Sequence, residues 1–381
     1  MIKKPAVAIV YDRVNTPYGG AEQVLLALHQ LYPTAPLFTA VYDPKKAKWA
    51  KVFPQVIASD LNKIPFFNQL HRWIPFLMPL AFEGFDLGAY DIIISVTSAE
   101  AKGVITKPAQ LHLCYLLTPP RYLYQDREHS LQSHWLFKIP PIKWLAKLLL
   151  NYLTWWDQRA ILRPDIIVPI SQRVTQRIRT YYPTIKPAAV IYPPVASALS
   201  KTTALPIPQD FFLINSRLVS YKHLDQAILA CAELDQNLVI VGSGPEKNNL
   251  EKLVKQLDKT KQIIFYQNID PEQLAYLYQH CQALLMPGEE DFGLVALEAN
   301  SYGKPVLINS KSGAAECIDH TLHGCHISQE KAENIRQSLE LFGKTNFEST
   351  RLLKNMKKYD TNTFINKFDQ LVTTLWNKHR K

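Results

Sequence analysis

Residues 283–310, with the sequence ALLMPGEEDFGLVALEANSYGKPVLINS, carry the pattern that decides the fold. The run ALLM is typical of a buried strand, GLVALEANSYG has the apolar spacing of a helix, and PVLINS is a second strand. A strand, a helix and a strand in succession predict a parallel βαβ unit. Three acids, Glu289, Glu290 and Asp291, follow the first strand, at the edge of the sheet where such folds bind ligands.

The same alternation continues along the rest of the chain. FFLINS, NLVIVGSG and QIIFYQ are predicted strands, and HLDQAILACAEL, EKNNLEKLVKQLD and DPEQLAYLYQHC are predicted helices. In the first half, amphipathic segments separate the predicted strands AVAIVYD, APLFTAVY, YDIIISVT, LHLCYLLT, DIIVPIS and AAVIYPPV. The sequence therefore predicts an α/β architecture with two mostly parallel, doubly wound sheets.

A proline-rich stretch, PPVASALSKTTALPIP, interrupts this alternation and indicates a linker. We predict a Rossmann-like domain over residues 1–195, a linker over 196–208 and a second Rossmann-like domain over 209–360. An amphipathic helix over 361–381 could pack back across either domain. Two such domains would leave a ligand cleft between the carboxyl ends of their strands.

The composition is that of a soluble globular protein, with 381 residues, 47% hydrophobic and 20% charged. The sequence contains no run of about 18 uncharged apolar residues, so it predicts no membrane-spanning helix. The N-terminal MIKKPAVAIVYDRV indicates a first strand and not a signal peptide, because Asp12 and Arg13 stand where small residues would be needed for cleavage. Five scattered cysteines without a C-x-x-C pair argue against a disulfide framework or structural zinc and favour a cytoplasmic location.

The net charge of +10 predicts an anionic partner. Basic and aromatic residues are mixed in KKAKWAKVF, NQLHRWIPFLMPLAF and FKIPPIKWLAKLLLNYLTWW, and no nucleic-acid-binding motif is found. The pattern favours an anionic membrane surface, at the inner face of the cell membrane, over nucleic acid. The residues that combine charge with interfacial rings are Arg72, Trp73, Lys143, Trp144 and Lys147. The alternative is that these segments are core helices with solvated basic rims.

Two predicted loops of the second half carry residues suited to a phosphorylated ligand. In NSRLVSYKHLD, the guanidinium of Arg217 and the ammonium of Lys222 could bind a diphosphate together, although such a pair on a loop is also commonly solvated. In VGSGPE, Gly242 and Gly244 would let the backbone approach a ligand closely, or would only turn the chain.

The acidic loop and the helix after it form the most informative group. The amides of Phe292, Gly293, Leu294 and Val295 would be unpaired at the helix start and would suit a phosphate. If the helix begins near Asp291, Glu298 lies roughly 10 Å, about two turns, further along it. One carboxylate could then bind a sugar hydroxyl near the phosphate, and the other the hydroxyls of a ribose. The alternative is that the acids merely offset the helix dipole.

At the N-terminus, YDRVNTPYGGAEQVLLAL repeats the order of strand, glycine loop and helix, with Gly20 at the helix start. This predicts a second anion-binding end, or simply a glycine turn before a helix. No two aspartates are spaced as in a D-x-D metal motif, and neither a G-x-x-x-x-G-K-[ST] loop nor a G-x-S-x-G turn is present. NTPase and serine-hydrolase functions are therefore disfavoured.

The segments SRLVSYKHLD, VGSGP, PGEEDFGLVALEANSYGKPVL and SGAAE, in this order and spacing, resemble the retaining glycosyltransferases of family 4, which have the GT-B fold. The most specific element is E-x(7)-E, here Glu290 to Glu298. The first half resembles the mannosyltransferase-like branch of that family in GGAEQVL, PLAFEGFDLGAYDIIISVTSAEAKGV, RYLY, ISQRVTQRI and VIYPPV. The resemblance covers nearly the whole chain.

The resemblance implies a role for each matching residue. It assigns Arg217 and Lys222 to the donor diphosphate, Glu290 to the transferred sugar and Glu298 to the nucleotide ribose. It assigns the amides of residues 292–295 to phosphate and sugar, and the Gly20 turn to the phosphate or the acceptor. No metal or other cofactor is expected, because the two cations would stabilise the leaving diphosphate instead.

The expected function is transfer of a hexose, best matched by mannose from GDP-mannose, to a glycan or lipid-linked acceptor bound by the first domain. Two positions depart from the family pattern. Leu117 stands where relatives have a histidine, and Gln267 stands where a glycine is common beside the base. His112 is a poor substitute for the missing histidine because alternating strand side chains would point it to the opposite face. The alternatives are a catalytically weak sugar-nucleotide-binding subunit and a GT-B-fold epimerase.

Overall fold

The computed structural model describes residues 5–64, 74–128 and 140–380. Two of the basic and aromatic residues named above, Arg72 and Trp73, lie outside the described residues. The chain divides into two compact units. The first comprises Met1–Pro194 together with Phe364–Lys381, and the second comprises Val195–Thr363.

The first unit is built on a parallel sheet of six strands in the order β3-β2-β1-β4-β5-β6. The strands are β1 (Val7–Val14), β2 (Leu37–Tyr42), β3 (Val56–Ala58), β4 (Ile92–Thr97), β5 (Leu111–Leu116) and β6 (Ile166–Pro169). The described helices are α1 (Gly20–Leu31), α2 (Met78–Glu83), α3 (Pro140–Ala160), α4 (Gln172–Tyr181) and, from the end of the chain, α11 (Thr361–His379).

The central strands of this sheet are buried on both faces. Every residue of β4 and β5 is buried, as is expected for parallel strands covered by helices on each side. The helix α11 covers part of this core, because the rings of Phe364 and Phe368 lie 5.8 and 5.9 Å from the ring of Tyr115 in β5. The C-terminal helix is therefore an integral part of the first unit.

A buried ion pair joins α3 to the loop after β4. Lys102 Nζ lies 2.6 Å from Asp157 Oδ1, and both side chains are almost completely inaccessible. The hydroxyls of Tyr124 and Tyr182 donate to the other carboxylate oxygen, at 2.7 and 2.6 Å. The four side chains fix the inner face of α3.

The second unit has a sheet of the same design. Its strands are β7 (Phe211–Asn215), β8 (Asn237–Val241), β9 (Ile263–Tyr266), β10 (Ala283–Met286), β11 (Val306–Asn309) and β12 (Gly324–Ile327), in the order β12-β11-β10-β7-β8-β9. All neighbours are parallel. The helices are α5 (Leu224–Glu233), α6 (Lys247–Gln256), α7 (Pro271–His280), α8 (Leu294–Ser301), α9 (Ala332–Gly343) and α10 (Ser349–Met356).

In both sheets the first strand of the unit pairs with the second on one side and the fourth on the other. The strand order reverses at this point, and the connections leaving the two central strands diverge to opposite sides. A crevice forms there at the carboxyl ends of the strands. In the second unit the reversal lies between β7 and β10, so it brings together the loops at residues 216–222 and 287–293. The predicted α/β architecture of two doubly wound parallel sheets is confirmed.

No helix within the described residues has the length and apolar character needed to cross a membrane.

Candidate functional site

The loop after β7 carries the two predicted cations. Arg217 is exposed and its guanidinium donates to the hydroxyl of Tyr221 at 2.7 Å. The ammonium of Lys222 is nearly buried and lies 5.3 Å from the centre of the Tyr221 ring. Tyr221 thus stands between the two cations and links them. Residues 220–222 form a single helical turn that ends at His223 in the left-handed conformation, which redirects the chain into α5.

The loop after β10 lies directly against this cationic loop. The Glu290 carboxylate forms an ion pair with the Lys222 ammonium. Gly288 makes the close approach possible, because a Cβ there would be 2.6 Å from the Cα of Lys222 and 2.8 Å from the Tyr221 carbonyl oxygen. The structure therefore brings three predicted catalytic residues, Arg217, Lys222 and Glu290, to one place at the sheet's topological reversal.

A third loop, which follows β11, holds the acidic loop in position. The Ser312 hydroxyl accepts from the Glu290 amide at 3.0 Å and donates to the Gly288 carbonyl at 3.2 Å. The Asn309 amide donates to the Pro287 carbonyl at 2.8 Å. The Gly313 amide donates to the Glu290 carbonyl at 3.0 Å. The backbone around Glu290 is consequently fixed from several directions.

The helix α8 begins later than the sequence pattern suggests. Gly293, in the left-handed conformation with φ of 96°, is its N-cap, and Leu294 is its first residue. The expectation of a start near Asp291 is wrong because the left-handed turn at Gly293 interrupts the helical path. Glu298 therefore lies about 6 Å, roughly one turn, beyond the start, and not two turns.

Of the four predicted donor-binding amides at residues 292–295, those of Leu294 and Val295 belong to the first turn of α8, and Gly293 caps it. Phe292 is buried, and its carbonyl accepts from the Ala314 amide at 2.7 Å. The start of α8 is thereby tied to the loop after β11, at the same edge of the sheet as Glu290.

Glu298 is partly exposed on α8 and belongs to a hydrogen-bonded group of its own. The Tyr278 hydroxyl donates to Glu298 Oε2 at 3.3 Å and accepts from the Asn215 amide at 3.1 Å. Asn215 is the last residue of β7, so Glu298 is connected to the same strand end as the cationic loop. The ring of Tyr278 stacks on that of Tyr302 at 5.2 Å.

The two predicted donor-binding glycines after β8 lie against the cationic loop. A Cβ at Gly242 would be 1.9 Å from the Ser216 carbonyl oxygen, and one at Gly244 would be 2.2 Å from the Leu218 carbonyl oxygen. The contact is backbone to backbone, with the Leu218 amide donating to the Ser243 carbonyl at 2.9 Å. Both glycines therefore allow the loops after β7 and β8 to pack together.

Gly20 lies in the first unit, as the first residue of α1. The first turn of this helix contains the buried carboxylate of Glu22, which accepts from the Tyr11 hydroxyl at 3.3 Å. Burial raises the pKa of Glu22. Hydrogen bonds from the backbone amide of Glu22 and from the Tyr11 hydroxyl act in the opposite direction, but their effect is smaller than that of burial, so the pKa stays raised. The amino end of α1 thus has a carboxylate of its own beside it.

The structure places Leu117 immediately after β5, where its amide donates to the Thr97 carbonyl at 2.8 Å. His112 is near the other end of that strand and fully buried, with Nε2 2.9 Å from the Ser95 hydroxyl oxygen. Burial lowers the pKa of His112 to about 3. His112 therefore cannot take the place of the histidine that Leu117 replaces, in agreement with the alternation argument.

Sequence reasoning missed the residues that support the site. Tyr221, Tyr278, Asn309 and Ser312 had no predicted role, yet each bonds to or packs against a predicted site residue or the backbone beside it. None of the four has a distinctive spacing, although Tyr221 and Ser312 lie within the quoted segments SRLVSYKHLD and SGAAE. Their contacts become visible only when strands distant in sequence are adjacent in the sheet.

The second unit thus presents two cations, a carboxylate and a helix start at one sheet edge. Such a group can bind a diphosphate through the guanidinium and ammonium, and sugar hydroxyls through the carboxylate. Within residues 5–64, 74–128 and 140–380, no three His, Cys, Asp or Glu side chains are arranged to hold a metal ion.

Residues 198–362 match the family described as glycosyl transferases group 1. The chain is 30% identical over 132 residues to an uncharacterized glycosyltransferase of Methanocaldococcus jannaschii, covering 33% of this chain and 34% of that protein. It is 32% identical over 116 residues to a GDP-mannose-dependent alpha-(1-6)-phosphatidylinositol monomannoside mannosyltransferase of Mycolicibacterium smegmatis, covering 27% and 30%. The aligned segments span about a third of these curated relatives.

The fold extends beyond the matched segment. The structure of Anabaena HepE in complex with UDP and glucose aligns with 97% of this chain and 99% of that chain, with a TM-score of 0.69 and 18% identity. At this identity the likeness concerns the fold of both units. The chain therefore has the GT-B fold in both of its units, and its second unit contains a domain that matches the group 1 glycosyl transferases.

Proposed function

We propose that the protein transfers a hexose from a nucleotide-diphospho-sugar to a glycan or lipid-linked acceptor, with retention of the anomeric configuration. The observation that carries the proposal is the assembly of Arg217, Tyr221, Lys222 and Glu290 where the strand order of the second sheet reverses. The family match over residues 198–362 supports the same reaction class.

The proposed reaction breaks the bond between the sugar and the diphosphate and forms a glycosidic bond. Negative charge develops on the leaving diphosphate, and positive charge develops at the anomeric carbon. Arg217 and Lys222 would stabilise the diphosphate, and the Glu290 carboxylate would accept from the sugar hydroxyls. Because Lys222 already contacts Glu290, one ammonium can link the sugar site to the phosphate site.

The small cavity between the two loops, about 10 Å³, has room for about one water and is lined in part by Asn215, Lys222 and Glu290. A nucleotide sugar would therefore have to contact these side chains from their solvent-facing side.

For the donor we favour GDP-mannose, with synthesis of a surface polysaccharide or glycolipid at the cytoplasmic face of the membrane as the setting. The mycobacterial relative supports this choice because its name specifies GDP-mannose. Gln267, which replaces the usual glycine after β9, accepts from the Lys247 ammonium at 2.9 Å. A side-chain pair at this strand end would alter the contact with the nucleotide base.

A second candidate function is that of a catalytically weak sugar-nucleotide-binding subunit, or of a GT-B-fold epimerase. The specific observation in its favour is Leu117, which cannot donate a hydrogen bond to a sugar as a histidine would. This function would preserve donor binding and lose transfer.

The test is a panel of GDP- and UDP-sugars, followed by both thermal shift and product formation, with the Arg217→Ala variant alongside. Loss of a charge-assisted bond of about 1.5–3 kcal/mol should lower kcat/KM roughly ten- to a hundredfold. The matched control is Lys201→Ala, which removes an exposed cation of the same unit that pairs with Glu272.

Three outcomes of this test separate the candidates. A kcat/KM equal to that of the wild type in Arg217→Ala would refute the assignment of Arg217 to the donor diphosphate. Donor binding without any turnover would favour the second candidate function. The reaction should also continue in excess chelator, and loss of activity that Mg²⁺ or Mn²⁺ restores would refute metal-independent transfer.

A further inference from the structure

The helix α3 exposes a continuous apolar stripe on its outer side. Its members, called the outer stripe here, are Trp144, Leu145, Leu148, Tyr152 and Trp155. Trp144 and Leu145 are adjacent, and the next members follow at spacings of three, four and three residues, so all five share one side of the helix. The largest rings are well exposed, with 65% of Trp144 and 55% of Trp155 accessible. Exposed single hydrophobic residues are common, but a stripe of five, ~16 Å long, indicates a partner.

The opposite side of the same helix is already used for packing. Leu153, Trp156, Asp157 and Ala160 are buried, and the Trp156 indole donates to Glu83 at 2.7 Å. The outer stripe is therefore not the side of α3 that packs against the first unit, because the opposite side already does so. A helix that is apolar on two sides, with one of them in contact with solvent, has a second surface available for binding.

The exposed charges of α3 itself are all positive. Lys147 lies beside it, and the Arg159 guanidinium is 4.8 Å from the centre of the Trp155 ring. The helix has only one acid, Asp157, and this carboxylate is buried against Lys102. The exposed surface of α3 thus combines cations, indole and phenol rings and aliphatic side chains, with no exposed carboxylate on the helix.

We propose that the outer stripe of α3 docks on an anionic lipid bilayer, with the helix lying in the plane of the interface. Tyr and Trp favour the boundary between headgroups and acyl chains, and Lys and Arg near the surface attract anionic lipids. A second copy of the chain is a poorer occupant, since a symmetric contact through this surface would place cations opposite cations. The protein's net charge of +10 adds to the attraction.

The proposal concerns binding and is independent of the transfer reaction, so it is tested without nucleotide sugar. The full chain is sedimented with vesicles of phosphatidylcholine alone and of phosphatidylcholine mixed equally with phosphatidylglycerol. We expect recovery with the anionic vesicles only, decreasing as salt is raised, because exposed charges are screened over about 8–10 Å at physiological ionic strength. The double variant Trp144→Ser/Trp155→Ser should lose vesicle binding more than about tenfold.

Charge reversal tests the electrostatic part separately. The variant Lys147→Glu/Arg159→Glu should bind anionic vesicles more than about tenfold more weakly, because each cation near anionic lipid contributes about fivefold. Matched controls are Leu353→Ser and Lys354→Glu, at an exposed leucine and an exposed lysine of α10 in the second unit. Both should bind vesicles like the unaltered chain.

Two results would overturn the proposal. Equal recovery of the unaltered chain with neutral and anionic vesicles would do so. So would a dimer in sedimentation velocity that the Trp144→Ser/Trp155→Ser variant converts to monomer, because the outer stripe would then be an interface between copies. A thermal shift with donor on the same variants reports separately whether the proposed transfer site is intact.

Discussion

Glu290 and Glu298 are both carboxylates near the start of α8, yet their surroundings differ. Glu290 contacts an ammonium from the loop after β7, and Glu298 accepts from a tyrosine hydroxyl. A carboxylate that only offsets the helix dipole would need neither of these side-chain partners. Glu290 lies three residues before the N-cap Gly293, and its partner is Lys222. The two residues should therefore have separable roles.

The variant Glu290→Gln should lower kcat, because the carboxylate would lie near charge that develops in the transition state. The variant Glu298→Gln should raise the donor KM with less change in kcat, since a contact with the ribose is equally strong in the ground state and in the transition state. Steady-state kinetics with saturating acceptor measures both. Glu289→Gln is the matched control, because Glu289 lies in the same loop but faces Lys311 at 3.7 Å.

If the acids served only the helix dipole, each variant would lose about 0.3–1 kcal/mol of stability and keep its kinetics. Unchanged kcat in Glu290→Gln, together with a small decrease in melting temperature, would therefore contradict the catalytic assignment.

Among the elements, α3 contributes to the most deeply buried ion pair of the described residues, between Asp157 and Lys102. Burial alone would lower the pKa of Lys102, but the charge and the hydrogen bond of Asp157, together with smaller contributions from Cys114 and Asp12, outweigh burial and raise it. The ammonium therefore stays charged inside the first unit, and Asp157 is the neighbour that compensates it. Asp157 also accepts from Tyr124 and Tyr182, so its loss would leave several buried polar groups without an acceptor.

The variant Asp157→Ala should lower the free energy of unfolding by about 3–5 kcal/mol, because it leaves a buried charge uncompensated. Urea unfolding followed by circular dichroism measures the change. Adding Lys102→Met should recover part of the loss, since removing both charges avoids the unpaired one. Asp60→Ala, which breaks a fully exposed pair with Lys63 in the same unit, is the control and should not move the unfolding midpoint. A midpoint equal to the wild type in Asp157→Ala would show that the pair does not stabilise the unit.

The alternating apolar runs predicted most of the elements because parallel strands buried on both faces leave a strong signal. Every strand and helix expected between FFLINS and PVLINS is present. The edge strands β3 and β12 were not predicted, since VIA has only three residues and GCHI contains a glycine and a histidine. The run AAVIYPPV was wrongly expected to be a strand, because its two prolines cannot donate to a neighbouring strand. The start of α8 was placed too early because a left-handed glycine leaves no periodic signal.

The candidate site could be predicted only in part, for a physical reason. Arg217, Lys222 and Glu290 could be named because charged residues after buried strands are unusual in sequence. Their mutual contact depends on the pairing of β7 with β10, which are separated by three intervening helices and two strands. The supporting hydroxyls of Tyr221 and Ser312 had no distinctive spacing and became visible only in the folded unit.

On the scale of the whole molecule, the first unit depends on residues from both ends of the chain. Phe364 and Phe368 of α11 are buried within it, next to Tyr115. The variant Phe368→Ala should therefore lower the stability of the first unit by about 3–5 kcal/mol. Hydrogen exchange resolved by peptide measures this, with faster exchange in β5 and unchanged exchange in β7 and β10.

The neighbouring variant Lys367→Ala is the control, because this side chain is exposed on the same helix. Faster exchange of both units in Phe368→Ala would show that the two units unfold together, and would contradict an effect confined to the first.

The return of α11 to the first unit also fixes an order of events at the ribosome. Residues up to Pro194 leave the exit tunnel first, but α11 follows only after the entire second unit has been made. At about 5–20 residues per second, this delay is roughly 10–30 s. During it, the surface around Tyr115 lacks its cover, while the second unit already has all of its strands. The first unit is thus completed after the second, and the surface around Tyr115 stays uncovered on the nascent protein until then.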